Sequence, residues 1–139
     1  MEWYTELNFR FNDDKIQAEV GALFKSMREN RRLTKELVKE GFVEIFPEHL
    51  SDIDAYFKDG TCWELFEAIE TVNIQSKKLR VVSLCGSGVD RIVPNFMKFL
   101  VSIDGKPLAS KASGDESTIS FKYLKSGKIE ISVKDDEEG

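Results

Sequence analysis

The residues of this chain that could do chemistry include a glycine-rich turn, Gly86-Ser87-Gly88, which follows a predicted strand. Backbone N–H groups in such a turn can hold an anion, most effectively at a helix N-terminus. The spacing departs from the dinucleotide and P-loop patterns, because Arg91 stands at the third glycine position and no Gly-Lys-Ser/Thr follows. A plain turn is the favoured interpretation, and an anion site formed by Gly86, Ser87, Gly88 and Arg91 is the alternative.

The single histidine and the two cysteines offer little for nucleophilic or metal chemistry. His49 would have to serve any Ser–His or Cys–His pair, and no G-x-S-x-G motif accompanies it. Cys62 and Cys85 form no C-x-x-C pair, and one histidine leaves a Cys/His zinc site short of ligands. We therefore expect no catalytic residue, no metal and no cofactor, a structural His49, and two buried free thiols.

Acidic residues are concentrated between positions 44 and 70, where eight acids face one base and the local charge is −7. The flanking segments 25–43 and 71–112 are both basic. A chance cluster on a solvated surface is one interpretation, but mixed signs would cost less self-repulsion. We therefore expect a docking face for a basic partner, with aromatic anchors beside the acids. The candidate partner-binding residues are Glu48, Asp52, Asp54, Tyr56, Asp59, Trp63, Glu64, Glu67 and Glu70.

The first half of the chain must position these residues on strands and helices. Residues 3–11 alternate between apolar and polar, which is typical of a half-buried strand. Asn12-Asp13-Asp14 can cap a helix that ends near residue 30. The further predicted elements are a helical turn or two over 33–40 closed by Gly41, a short strand over 42–46, and a helix from Pro47 to Asp59-Gly60 with Leu50, Ile53 and Phe57 inside.

In the second half, Thr61–Glu64 fits a capping box for a helix whose apolar stripe runs through Leu65, Phe66, Ile69 and Val72. Glu64, Glu67 and Glu70 would then share one face of that helix. Residues 79–85 predict a strand, and 91–103 fit a helix better than a hairpin strand. A strand near 108–112 and the alternating segments 118–124 and 128–133 predict antiparallel pairing around Ser126-Gly127.

These elements predict an α+β fold, with a single mixed or antiparallel sheet, helices mainly on one face, and a C-terminal β-hairpin. We expect one domain over 1–134, followed by an acidic disordered tail over 135–139. Trp3, Leu7, Phe9, Val82 and Leu84 should form one core beneath the helix that contains Ile16, Val20 and Leu23.

Composition excludes several functional classes. The chain is 41% hydrophobic and 32% charged, which is close to a globular average. Neither a signal peptide nor a span of about 20 apolar residues is visible, so we expect the cytoplasm and no membrane partner. A net charge of −5 argues against direct nucleic-acid binding.

The profile favours a non-catalytic protein-binding domain, such as an acidic inhibitor or immunity-type protein that occludes a basic, nuclease-like partner. Its likeness to bacterial immunity proteins is one of physical type and rests on no motif. The alternative is a small enzyme or ligand-binding domain that holds an anionic ligand at the Gly86–Arg91 turn. A third possibility is a subunit of an assembly that pairs through the strand over 3–11. The sequence predicts no particular oligomeric state.

Overall fold

The computed structural model describes residues 2–30 and 32–135, apart from the side chain of Thr61. Over these residues the chain has an α+β fold of five α-helices and one seven-stranded antiparallel sheet, as expected. The helices are α1 (Asp14–Glu29), α2 (Lys35–Ile45), α3 (Leu50–Lys58), α4 (Trp63–Glu67) and α5 (Val89–Ser102). The strands are β1 (Trp3–Arg10), β2 (Ile69–Ile74), β3 (Leu79–Cys85), β4 (Lys106–Pro107), β5 (Ser110–Ser113), β6 (Ser117–Tyr123) and β7 (Ile129–Asp135).

The sheet has the strand order β2-β3-β1-β5-β6-β7, and the short β4 also pairs with β1. Helix α1 packs on β2 and β3, while α5 packs on β1, β4 and β6. β1 lies inside the sheet, between β3 on one side and β4 and β5 on the other. Its predicted availability for edge pairing is therefore wrong, and the edge strands are β2 and β7.

The pairing of β1 with β3 decides which residues enter the core. Leu7 lies opposite Val81, and all three of Leu7, Phe9 and Val81 are buried in the core beneath the helices. Val82 is fully buried, as expected, but it lies opposite Glu6 on the other face of the sheet, so Val82 and Leu84 do not join the core beneath the helices. The β3 sequence has apolar residues on both of its faces, so the sequence alone does not reveal which face points toward the helices.

Helix α2 is longer than the sequence indicated, because it continues through Gly41 and includes most of the predicted strand 42–46. Thr34 caps it by accepting a hydrogen bond from the Leu37 N–H at 3.2 Å. Gly41 allows α1 to approach, since an added Cβ would lie 2.6 Å from Leu23 Cδ1. The glycine therefore serves helix packing and does not end the helix.

Helix α4 is shorter than predicted, because it ends at Glu67 and β2 begins at Ile69. The β-branched residues of β2 pair with β3, and this tertiary pairing overrides the weak helical periodicity. The N-cap of α4 is Cys62, without a side-chain cap, and the Glu64 carboxylate accepts from the Gly86 N–H, so Glu64 does not take its predicted place in a capping box; the Thr61 side chain lies outside the described residues. Leu50 was expected inside, but it is 49% exposed.

Helix α5 confirms the helical interpretation of residues 91–103. It ends in a Schellman motif, in which Gly105 N–H donates to the Leu100 carbonyl at 2.7 Å and Asp104 N–H donates to Val101 at 3.2 Å. The residue in the left-handed region is Asp104, with φ 67°, and not the glycine. This turn directs the Asp104 carboxylate toward the start of α3.

The C-terminal hairpin formed by β6 and β7 is confirmed, and Gly127 takes the left-handed position of its turn with φ 88°. β7 includes Asp135, which was expected in the tail. The remaining predicted tail, residues 136–139, lies outside the described residues. In the described part of the chain, no helix is long and apolar enough to cross a membrane.

Candidate functional site

The acidic residues of segment 44–70 are distributed over several elements. Glu44 lies in α2, Glu48 in a 3₁₀ turn at Pro47–His49, and Asp52 and Asp54 in α3. Asp59 follows α3, while Glu64 and Glu67 belong to α4. The predicted row of three glutamates on one helix does not form, because Glu70 lies in β2.

Glu64 is engaged with the Gly86 turn. Its Oε1 accepts the Gly86 N–H, and a Cβ at Gly86 would collide with this oxygen. A carboxylate of the chain itself therefore occupies the N–H that was the candidate anion donor, and an external anion would have to displace it. Gly88 caps α5 through its backbone, and Ser87 and Arg91 are exposed nearby. The anion site stays a prediction.

The two proposed aromatic anchors have different environments. The Tyr56 ring stacks on Phe99 with centroids 4.1 Å apart and planes within 6°. Its hydroxyl is buried without a hydrogen-bond partner among the described residues, and burial raises the pKa of Tyr56 well above 10. Trp63 is half-buried and lines a pocket of about 220 Å³ together with Leu33 and Glu67. Both residues are half-buried, and Tyr56 borders a separate pocket on the α5 side of α3.

The acids on α3 and at its C-terminal end face two different directions. Asp54 forms an ion pair with Lys39 of α2. Asp52 and Asp59 instead line a pocket on the α5 side, which also contains Lys98. The predicted acidic face is therefore divided between the two sides of α3.

The structure assembles a different acidic surface, which we name the α2–α3 groove. It encloses about 450 Å³ between the two helices. Val43, which is half-buried, and the exposed Leu50 provide its apolar part. The polar lining of the groove contains four carboxylates and one amine. The carboxylates are those of Glu36, Glu40, Glu44 and Asp54, and the amine is that of Lys39.

Two members of this groove, Glu36 and Glu40, were missed at the sequence level. They lie in segment 25–43, whose net charge is positive. Their signal was present, because Glu36, Glu40 and Glu44 follow each other at i, i+4 and i+8 on one helix face. Ending the helix at Gly41 separated Glu44 from the other two.

His49 joins the 3₁₀ turn to the end of α5 through carboxylates. Its Nε2 lies 2.9 Å from Asp104 Oδ2 and 3.9 Å from Glu48 Oε1, and its Nδ1 lies 3.6 Å from Asp52 Oδ2. The hydrogen bond to Asp104, together with the charges of Asp104 and Glu48, raises the pKa of His49 above its ordinary 6.5. An environment that favours the imidazolium suits an ion pair with these carboxylates, and the structural role expected for His49 stays a prediction.

We expect Asp104→Asn to lower the pKa of His49, since the substitution removes the main partner of the imidazolium. Asparagine tolerates the left-handed backbone that Asp104 adopts, so the turn should survive. Because His49 is the only histidine, its imidazole Cε1–H proton gives one NMR titration curve that reports this pKa directly. A titration curve that is unchanged in the variant would contradict the assignment.

The same contact gives stability a definite pH dependence. The folded pKa of His49 is raised, so its stabilisation is present in full below about pH 6.5 and is lost as the pH rises through the folded pKa. Asp104→Asn should therefore lower the melting temperature more at about pH 5.5 than at about pH 8.5. Partial solvent exposure of the pair keeps the effect small.

Cys62 and Cys85 are buried free thiols, as expected. Burial raises the pKa of Cys62 to about 11 and also raises the pKa of Cys85. Both therefore remain protonated near neutral pH, a state in which a thiol is a weak nucleophile and a weak metal ligand. Across the described residues, no group of three or more His, Cys, Asp or Glu side chains could hold a metal ion.

The α2–α3 groove combines an apolar floor with a carboxylate rim. Such a surface is complementary to a segment that carries both basic and apolar side chains, because the carboxylates attract the cations and the floor accepts the apolar anchors. The geometry thus offers recognition of a protein or peptide. No protein-family model, curated protein or solved structure matches this chain.

Proposed function

We propose that this chain is a non-catalytic protein-binding domain that docks a basic, amphipathic segment of its partner in the α2–α3 groove. The observation that carries the proposal is the placement of four carboxylates around an exposed leucine between two helices. Isolated exposed leucines are common on protein surfaces. A leucine that shares a groove with four carboxylates and a single amine is better suited to a partner that supplies positive charge.

The contributions of the two parts of the groove differ. The carboxylates attract a basic segment and raise its association rate, and this effect weakens as salt is added. Leu50 and Val43 offer apolar area that a partner side chain can cover, which contributes to affinity. Lys39 is already paired with Asp54, so the glutamates of α2 dominate the charge of the rim.

The finer proposal is an inhibitor of the immunity type, which occludes a basic, nuclease-like partner. A surface that grips nucleic-acid phosphates must be basic, and an acidic domain can cover it electrostatically and sterically. The expected compartment is the cytoplasm, since both cysteines are free thiols. The inhibitor proposal is supported by the net charge of −5 and by the groove.

A peptide titration followed by NMR tests the proposal without knowledge of the natural partner. The probe is a synthetic helical peptide of about 15 residues, with leucines spaced i, i+4 and lysine elsewhere. We expect saturable binding, with the largest chemical-shift changes at Glu40, Val43 and Leu50. Binding that is absent, or shifts that spread equally over the acids of the whole chain, would contradict the proposal.

A matched pair of variants separates the groove from general apolar exposure. Leu50→Asn should raise the Kd of the peptide about tenfold, because it removes an apolar contact that the peptide covers. Val101→Asn is the control, since Val101 is 40% exposed on α5 and lies outside the groove. Equal effects of the two variants would show that the groove is not the binding site.

A further inference from the structure

β7 is an edge strand whose outward backbone groups can be identified from the hairpin. The Leu124 N–H donates to the Lys128 carbonyl at 2.9 Å, which makes these two residues a hydrogen-bonded pair. Such pairs alternate along an antiparallel ladder. Glu130, Ser132 and Lys134 therefore bond toward β6, and the N–H and C=O groups of Ile129, Ile131 and Val133 point away from the sheet.

The helix side of β7 is also exposed. Ile131 is 45% exposed and Val133 is 66% exposed, the highest value among the exposed large apolar residues of the described chain. They lie opposite Phe121 and Ile119 of β6, which are buried. The apolar layer of the sheet thus extends one strand beyond the part that the helices cover.

The other edge of the sheet is better protected. β2 contains a register shift between Ile69 and Thr71, and Arg28 Nε donates to the Glu70 carbonyl at 2.7 Å. Irregular register and a side chain bonded to the edge both hinder strand pairing. Of the two edges, β7 is the one that can accept another strand.

The sequence of β7 is complementary to itself in one antiparallel register. If Ser132 lies opposite Ser132 of a second copy, Glu130 faces Lys134 of that copy on the polar side, and the reverse pair forms by symmetry. On the apolar side, Ile131 faces Val133 of the second copy. A shift of the centre to Ile131 would instead place Lys134 opposite Lys128, which is repulsive.

We propose that β7 is a homodimer interface, through which two copies pair antiparallel about a two-fold axis at Ser132 to form one continuous sheet. The outward backbone groups bond across the axis, two opposite-charge pairs fix the register, and the apolar pairs cover Ile131 and Val133. The interface is the same patch on both copies, so it closes at the dimer. It involves none of the residues of the α2–α3 groove and stands apart from the proposed function.

A charge-swap experiment on the full chain tests this pairing by analytical ultracentrifugation over a range of concentrations. We expect the unaltered chain to dimerise with increasing concentration. Glu130→Lys and Lys134→Glu, each alone, place like charges opposite each other twice and should raise the dimer Kd by at least about tenfold. An equimolar mixture of the two variants should dimerise again, because each pair then joins opposite charges.

Lys77→Glu is the matched control, since it makes the same charge reversal in the turn at the opposite end of the sheet and should leave the dimer Kd unchanged. Val133→Lys puts a charge on the apolar side of the edge and should abolish the dimer, while circular dichroism shows that each variant is folded. A chain that stays monomeric at about 1 mM overturns the proposal. The proposal is also overturned if neither single charge reversal weakens the dimer, or if the mixture of the two variants fails to dimerise.

Discussion

Replacing Phe24 with alanine is expected to lower the free energy of unfolding by about 3–5 kcal/mol. Phe24 is fully buried on α1, so the substitution removes apolar contacts and leaves a cavity that the packed core fills only in part. The loss would be a large fraction of the stability of a typical domain. The Phe24 ring has centroid distances of 5.7–6.3 Å to four other aromatic rings, those of Phe9, Phe42, Phe66 and Phe96.

Urea denaturation followed by tryptophan fluorescence measures this loss. Leu50→Ala is the control, because Leu50 is exposed in the groove and its removal should change stability by no more than about 0.5 kcal/mol. Similar losses for the two variants would mean that the aromatic core is not organised around α1.

Gln17→Met is expected to lower the free energy of unfolding by about 2–3 kcal/mol, although the two side chains have similar size. The buried Gln17 side chain accepts from the Phe11 N–H at 3.0 Å and donates to the carbonyls of Gln75 and Ser76 at 2.8 and 3.2 Å. It thereby ties α1 to the end of β1 and to the turn between β2 and β3. Methionine would leave these backbone groups without their partner.

The control for this prediction is Gln75→Met in the same turn. Gln75 takes part through its backbone carbonyl, and the residue is exposed, so its replacement should have little effect. Thermal unfolding of both variants decides the matter, and a Gln17 variant as stable as the control would contradict the proposed bridge.

The elements that the sequence predicted well are those whose pattern is local. β1 carries an alternating pattern because its inward residues, Leu7 and Phe9 among them, are buried beneath the helices. Helix α1 carries its own cap, in which Asp13 Oδ1 accepts from the N–H groups of Lys15 and Ile16. The hairpin of β6 and β7 combines alternation with a glycine turn. In these segments, local preference and tertiary structure agree.

The errors arose where tertiary contacts decide. Residues 69–74 follow an amphipathic helix in sequence but pair with β3, and nothing local distinguishes the end of α4 from its continuation. Gly41 resembles a helix stop, whereas in the structure it lies inside α2, where it leaves room for the Leu23 side chain of α1. The inward face of β3 depends on its register with β1, which the apolar run 79–85 does not encode.

The candidate site also depends on tertiary contacts that the sequence does not reveal. Of the predicted partner-binding residues, Asp54 lines the α2–α3 groove, because it faces Lys39 across the helix pair. Counting charge along the chain could not show this, since Glu36 and Glu40 join the surface from a basic segment. Surface charge depends on which helix face each residue occupies, and ending α2 at Gly41 left Glu44 off the face that carries Glu36 and Glu40.

The central claim is that the groove, and not the acidic segment 44–70 as a whole, attracts the basic partner. Stopped-flow measurements of the association rate of the lysine–leucine peptide distinguish these two surfaces. They compare two double variants, each of which replaces two glutamates with lysines. Glu40→Lys with Glu44→Lys should slow association by about tenfold at low salt and flatten its salt dependence. Glu67→Lys with Glu70→Lys should change the rate much less, and an equal or larger slowing by this second pair would contradict the account.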